Sequence, residues 1–594
     1  TVTTDLPVNA GGDTRIQVFT GTCNQLLCKA GDDDAGTGNL STTTFNVTAG
    51  VTYYIAFDDR WNTAGFQFSL IENVPVAMHA SFTMQPVATV GFYSSCVVDM
   101  NGDHLDDIVS VQDANIRINQ QLAVGGFTDL DVPAAVSDHE PSWSICAGDL
   151  DGNGLNDLCY AGGGGVTFMM ANDDGTAYSA LSQPEDIFCQ RSNMVDINDD
   201  GKLDVFVCHD VAPNVYYTNN GNNTFTSHQG GLGDTPDGGN YGSIWIDYDN
   251  DGDMDMFIAK CRGGNSVASI DQLHRNNGDG TFTEIANTMN LADHQQSWSS
   301  AWGDYDNDGD LDILIGASSF TGGGHKLMRN DGGTFTNVTV GSGFDLFTGT
   351  NVEHVTHDFD NDGWLDVFGG DNTILFNRGN MTFEPNVIPA GHGPIGDLNN
   401  DGYLDIVSFG DLYLNDGGDN HYIKINTIGT TSNQNGIGAR IQVTSALGTQ
   451  IREVRSGDGF EFMSSLTAHF GLGNDTEVEQ VVVHWPSGIT DVVNDPAVDG
   501  TLNIVEGSTN STSVVEALSA DLALYPVPAE HTLNIRSTQD LTNAPVTITD
   551  VTGKVVLRTV LRNGQFDVSE LTSGAYLLQV QYDGHLLKRT FTKQ

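Results

Sequence analysis

At 594 residues the chain is too long for one compact core, so several domains are expected. It carries 78 acidic against 23 basic residues, a formal net charge of -55, which argues against nucleic acid or an anionic membrane as partner because phosphates would be repelled. The 70 glycines, the abundant Asn, Thr and Ser, and the lack of long amphipathic periodicity predict turn-rich β-structure, and no apolar run is long enough for a transmembrane helix.

The chain begins at Thr1 with neither a start methionine nor a signal peptide, and so reads as a mature or truncated one. Residues 1–74 contain DTRIQVFTGTCNQLLCKAGDDDAG, STTTFNVTAGVTYYIAFDD and FQFSL. They resemble the second half of a pre-peptidase C-terminal type β-sandwich, a module of secreted proteins, which implies a partial domain lacking its first strands. The acidic turn Asp32 to Asp34 is expected to be a solvated loop, with a further cation site as the alternative. Eight cysteines are present, at 23, 28, 96, 146, 159, 189, 208 and 261, with no CxxC pair. In an exported protein some disulfides are expected, and Cys23 and Cys28 are close enough to bridge a loop. Buried thiols in the strands are the alternative for the other six.

From 75 to 419 one nine-residue acidic pattern is written seven times, starting at Asp99, Asp149, Asp196, Asp247, Asp304, Asp358 and Asp397. Asp or Asn stands at positions 1, 3 and 5, and Asp at position 9. Alternating oxygen donors with a glycine among them suit a hard cation of calcium's size. Successive starts are 39 to 57 residues apart, a period that for β-rich sequence points to propeller blades. Each unit leads in with an apolar strand (SSCVV, SWSICA, GSIWI), continues after the loop with a second (DIVSV, DVFVC, DILIG), and ends in a hairpin such as LHRNNGDGTFTE.

These units resemble FG-GAP/VCBS repeats, the calcium-loop blades also found in integrin α-subunit propellers. The resemblance implies a seven-bladed β-propeller over 75–419 and up to about seven Ca²⁺ ions, one per loop. It also implies side-chain ligands at positions 1, 3, 5 and 9 and a backbone carbonyl at position 7. Carried over, the ligand sets are Asp99, Asn101, Asp103 and Asp107; Asp149, Asp151, Asn153 and Asp157; Asp196, Asn198, Asp200 and Asp204; Asp247, Asp249, Asp251 and Asp255. The remaining three are Asp304, Asp306, Asp308 and Asp312; Asp358, Asp360, Asp362 and Asp366; and Asp397, Asn399, Asp401 and Asp405. Asn153 at position 5 makes the second site the weaker one. The expected role of these ions is to hold hairpins together.

Between 420 and 508 the sequences NGIGARIQV, REVRSGDGF, AHFGLGN and VVVHWPSG resemble the ASPIC/UnbV domain, and its pairing with VCBS repeats resembles the cartilage acidic protein family. Arg440, Arg452 and Arg455 stand out in so acidic a chain and are expected to pair with local acids such as Glu453 and Asp458, or with the propeller. A Ser/Thr/Asn linker (509–519) leads to 520–594, where LALYPVPAEHTLNI, VTITDVTGKVV and the basic end Lys588, Arg589, Lys593 resemble a type IX secretion sorting domain. That resemblance implies a β-sandwich read by the type IX machinery, and a secreted or bacterial outer-membrane surface location.

No HExxH, GxSxG or Walker-type loop occurs, so no catalytic residue is assigned. In EHVTH (353–357) the two histidines fall on opposite faces of a strand, against a shared metal. Six residues before each loop stand Tyr93, Trp143, Gln190, Tyr241, Trp298, Val352 and Gly391, with Arg191, Glu353 and His392 one place later. If each loop joins the two inner strands at one end, these positions gather at the opposite rim. There Tyr93, Trp143, Tyr241 and Trp298 would stack on a ligand, and Arg191, Glu353 and His392 would add polar handles. The chain therefore reads as an all-β protein, a calcium-binding propeller flanked by β-sandwich domains, that binds a glycan or protein ligand at the cell surface. A structural subunit of an extracellular assembly or filament, and a calcium-dependent hydrolase or lyase, are the alternative readings.

Overall fold

The computed structural model describes residues 1–594 except 23–24, 46–50, 59–64, 72–78, 92–94, 113, 135–136, 265, 510–521, 538, 540, 551–554, 563, 570 and 583–584. The only helical elements among the described residues are two short 3-10 turns, Pro7–Asn9 and Val267–Ser269. The chain divides into two units, Thr1–Met78 and His79–Gln594. The first holds two three-stranded sheets around Val2, Ile16 and Val18.

In the second unit, seven four-stranded antiparallel sheets follow one another from Ser95 to Asn415. Six are built from consecutive strands. The seventh joins Ile395–Gly396, Asp405–Ser408 and Asp411–Asn415 to Phe82–Pro86, so a strand from before the first repeat closes the ring. The innermost strands, such as Ser144–Gly148 and Cys189–Val195, are buried along their whole length, which is why they read as unbroken apolar or small-residue runs. Neighbouring sheets share apolar cores: Ile244, Ile246 and Phe257 of the fourth pack with Trp302, Ile313 and Met328 of the fifth.

The acidic turn joins the two innermost strands of every sheet, as its place in the repeat predicts. Its backbone is left-handed at position 4, with φ of 54–76°, and again at position 6, with φ of 64–96°. Asn, Asp and Gly at position 4, and Gly in six of seven copies at position 6, are the residues that tolerate this conformation.

Residues 421–505 form a second β-domain of two sheets, one of Ala468–Gly473, His421–Ile428 and Gly500–Val505, the other of Gly448–Glu453, Arg440–Ser445, Val478–His484 and Thr490–Asn494. Its core is continuous with that of the first three propeller sheets. Residues 523–594 form a separate pair of sheets around Leu533, Ile548, Leu578 and Phe591.

One expectation changes here. The six cysteines from Cys96 onward are buried thiols rather than disulfides, shielded in the tightly packed strands of the propeller sheets and their margins. The Cys23–Cys28 pairing falls on Cys23, outside the described residues. The expected boundary at 74 lies outside the described residues; the compact unit ends at Met78 and the strand that closes the ring begins at Phe82. The predicted 509–519 linker falls almost wholly outside the described residues.

Candidate metal loops and the plugged channel

Every acidic turn is tied by the same hydrogen bonds. The position-1 carboxylate accepts the position-6 N–H at 2.7–3.1 Å, and the position-5 side-chain oxygen accepts the position-7 N–H at 2.9–3.0 Å. Asn153 makes the same position-5 bond as the aspartates. The position-9 Asp does more than the repeat pattern discloses. One oxygen accepts the position-2 N–H at 2.9–3.3 Å, and the other accepts an N–H of the third strand at 2.7–2.9 Å. It therefore joins turn and sheet, besides offering its remaining lone pairs to an ion.

A recurrent Asn on the third strand links neighbouring sheets by donating to a position-2 carbonyl of the sheet before: Asn219 to Leu150 at 2.7 Å, Asn330 to Tyr248 at 3.0 Å, Asn377 to Tyr305 at 2.7 Å and Asn415 to Phe359 at 2.8 Å. Gln121 completes the circle by donating to the Asp397 carbonyl at 2.8 Å. The signal for this link was present as the Asn that recurs in YYTNN, LMRND, ILFNR and LYLND, but its spacing from the acidic turn varies and hid it.

In four loops three carboxylates each bring an oxygen within 4.8 Å of one another: Asp149, Asp151 and Asp157; Asp247, Asp249 and Asp251; Asp304, Asp306 and Asp308; Asp358, Asp360 and Asp366. In the other three, position 3 is an amide (Asn101, Asn198, Asn399), which brings a neutral oxygen in place of one carboxylate. Burial opposes this crowding. It pushes the Asp157 carboxyl up to about 8, those of Asp255 and Asp312 to about 9, and those of Asp107, Asp204, Asp247 and Asp304 to about 7. Asp249 Oδ1 and Asp306 Oδ1 are buried without a hydrogen-bond partner. Side-chain donors that are all oxygen, crowded and partly unpartnered, suit a hard divalent cation rather than a soft metal.

The second β-domain sits on this acidic face and sends a loop, 454–466, up the propeller's central channel. Arg440 donates to the carbonyls of Asp247 (3.1 Å) and Gly309 (2.7 Å), and Lys424 to Asp397 Oδ2 (2.6 Å). Arg455 pairs with Glu453 and Asp458, so Arg440 and Arg455 meet the acids and the propeller as expected, whereas Arg452 donates to the Ile451 carbonyl and Gln450 Oε1 and lies over the Phe470 ring. Along the channel Ser456 donates to the Ala147 carbonyl, Val97 to the Met463 carbonyl and Ser465 to the Ile395 carbonyl. Gly457 and Gly459 are required: a Cβ would stand 1.7 Å from Arg191 Nη2 and 2.3 Å from Glu353 Oε1, respectively. The RSGDGF signature thus encodes a plug fitted to this channel.

The plug corrects part of the rim prediction. Trp143, Tyr241 and Trp298 do gather, half-buried, around the plug's Phe460, with ring centroids 5.9, 5.2 and 5.5 Å from it. Tyr93 lies outside the described residues. Arg191, Glu353 and His392 are not rim handles: they are 0%, 2% and 8% exposed, the first two buried against the plug and the third against the sixth sheet. Arg191 donates to the Phe462 carbonyl at 2.7 Å, Glu353 accepts the N–H groups of Phe460 and Glu461 at 2.7 Å, and His392 stacks on Phe368. Burial raises the Glu353 carboxyl to about 8, opposed by the nearby Arg191 guanidinium.

Comparison with known proteins accounts for the modular layout. The FG-GAP-like repeat family matches residues 99–179, 196–258, 247–315 and 358–408, the ASPIC and UnbV family matches 429–511, and the secretion system C-terminal sorting domain matches 523–594. The plugged sandwich is thus an ASPIC/UnbV domain, and the sorting domain marks the chain for export to the cell surface or secretion. No helix among the described residues is long and apolar enough to cross a membrane. Human cartilage acidic protein 1 is 28% identical over 250 residues, covering 36% of this chain and 37% of that protein, and the Xenopus tropicalis protein is 27% identical over 251 residues, covering 36% and 38%. The chain thus spans less than two fifths of the length of the curated relatives it matches. Among solved structures, the Vibrio cholerae biofilm matrix protein Bap1 aligns over 86% of this chain and 84% of its own at 12% identity with a TM-score of 0.28. The exotype rhamnogalacturonan lyase YesX aligns over 66% and 73% at 11% identity with a TM-score of 0.32. Scores this low carry no functional argument.

Proposed function

We propose that this exported propeller is a calcium-stiffened binding protein of the cell surface, which takes a glycan or protein ligand on the aromatic rim formed by Trp143, Tyr241 and Trp298. The observation that carries this reading is the rim itself. Three large rings, each half-buried, are fixed around Phe460 at the end of the channel opposite the acidic loops. Rings held in place from behind present a flat apolar face at little entropic cost, which is how sugar faces and peptide side chains are gripped. Calcium in the loops keeps the inner strands in register and so holds the rim.

The test is a glycan-array and surface-extract binding screen with the full chain, followed by the double substitution Trp143→Ala and Trp298→Ala. Binding is expected to fall by at least about 100-fold, in line with the loss of two aromatic anchors of about 2 kcal/mol each, while the far-ultraviolet spectrum is retained. Undiminished binding by a folded double variant would place the ligand elsewhere.

A further inference from the structure

The seven loops are not equivalent. Each of six has at least one exposed residue, whereas no residue from Asp358 to Asp366 is exposed. The ASPIC/UnbV domain roofs this sixth loop. Its strand Ala468–Gly473 lies against the loop so closely that a Cβ on Gly471 would stand 2.2 Å from Asp358 Oδ2. Gly473 donates its N–H to the Asn361 carbonyl at 2.8 Å, and Leu447 covers Gly363. From the other side the Asn420 amide donates to the Asp360 carbonyl at 2.8 Å.

A second feature belongs to this loop. A cavity of about 70 Å³ abuts Asp358, lined among others by His357, Arg452, Glu453, Asp458 and His469. His469 Nδ1, on a residue 8% exposed, is buried there without a hydrogen-bond partner, as is His357 Nε2, while Glu453 Oε2 and Asp458 Oδ1 face only the Arg455 guanidinium, at 3.8 and 3.5 Å. A polar cavity of this size holds about two waters, and unpartnered donors and acceptors are what such waters satisfy. A calcium ion completes its six to eight ligands with water. Asp358, Asp360 and Asp366, which converge within 4.8 Å, thus have room for water ligands beside them, under the ASPIC/UnbV domain.

We infer that the sixth loop holds a trapped cation, which the ASPIC/UnbV domain locks in place and which exchanges with solvent only when that domain lifts from the propeller. This rests on the calcium reading above. The ion must enter before the domain docks, so loading of the sixth loop precedes closure of the two-domain unit. The other loops exchange through their exposed faces.

The full chain is loaded with radiolabelled calcium, freed of unbound label and chased with excess unlabelled calcium. Two phases are expected, with about one ion per chain leaving at least about 10-fold more slowly than the rest, as for a site that needs a sub-global opening. Asp360→Asn should remove the slow phase and keep the fast one, whereas Asp306→Asn in the fifth loop should shrink the fast phase by about one ion and keep the slow one. Gly471→Ala, which presses a methyl group on Asp358, should speed the slow phase in whatever fraction folds. A single fast phase in the wild-type chain overturns the trapped ion and leaves the calcium reading intact. Retention of no label overturns both. A slow phase that survives Asp360→Asn in a folded variant assigns it to another loop and overturns the inference, and the wild-type chase decides the matter should that variant fail to fold.

Discussion

Stripping divalent cations with a chelator is expected to lower the thermal midpoint of this protein by about 10 °C or more. An ion at 100 times its dissociation constant stabilises the folded state by about 2.7 kcal/mol. Several such sites acting on one ring add up to a large fraction of an ordinary folding free energy. The metal-free protein should also respond to pH in a definite direction. Asp157, Asp255 and Asp312 have carboxyl groups raised by burial to about 8, 9 and 9, above the unfolded range. A group whose folded pKa is raised favours folding at low pH and loses that contribution as pH climbs from its unfolded to its folded value. Between about pH 4 and pH 9 the chelated protein should therefore become steadily less stable, and added calcium should flatten that dependence. A chelated protein as stable as the loaded one at pH 8 would remove the ions from the account of stability.

Phe460→Ala is expected to destabilise the protein by about 3–5 kcal/mol, the usual cost of emptying an aromatic site in a core. Phe460 is fully buried although it sits at the tip of a loop, and it contacts Trp143, Tyr241 and Trp298 at once. Its loss should change tryptophan fluorescence and weaken rim binding together, since the rings lose their common support. Denaturant unfolding checks the first effect and emission spectra the second. A change below about 1 kcal/mol, within the range of ordinary surface substitutions, would mean that the plug does not occupy the channel in solution.

The repeated acidic turn was legible because its chemistry is local. Left-handed positions 4 and 6 and inward-facing oxygens are dictated within nine residues, so the pattern survives in the sequence. The all-β class and the order of modules followed from the same repeats and from the signatures at 435–488 and 520–594. The strand Phe82–Pro86, by contrast, precedes the first motif and is assigned to the seventh sheet only by a pairing more than 300 residues distant. The plug was hidden for a related reason: RSGDGF looks like a turn until Arg191 and Glu353 are seen pressed against its glycines. Counting back from each loop found the aromatic rim but misread Arg191, Glu353 and His392, because their burial depends on the plug and the sixth sheet packed against them.

Elemental analysis of the purified full chain after extensive dialysis against metal-free buffer, with calcium then titrated back, tests the central claim most directly. The account predicts several calcium ions per chain, approaching seven at saturation, one for each aspartate loop that the sequence repeats. A folded, monodisperse protein that takes up no calcium in that titration would contradict it.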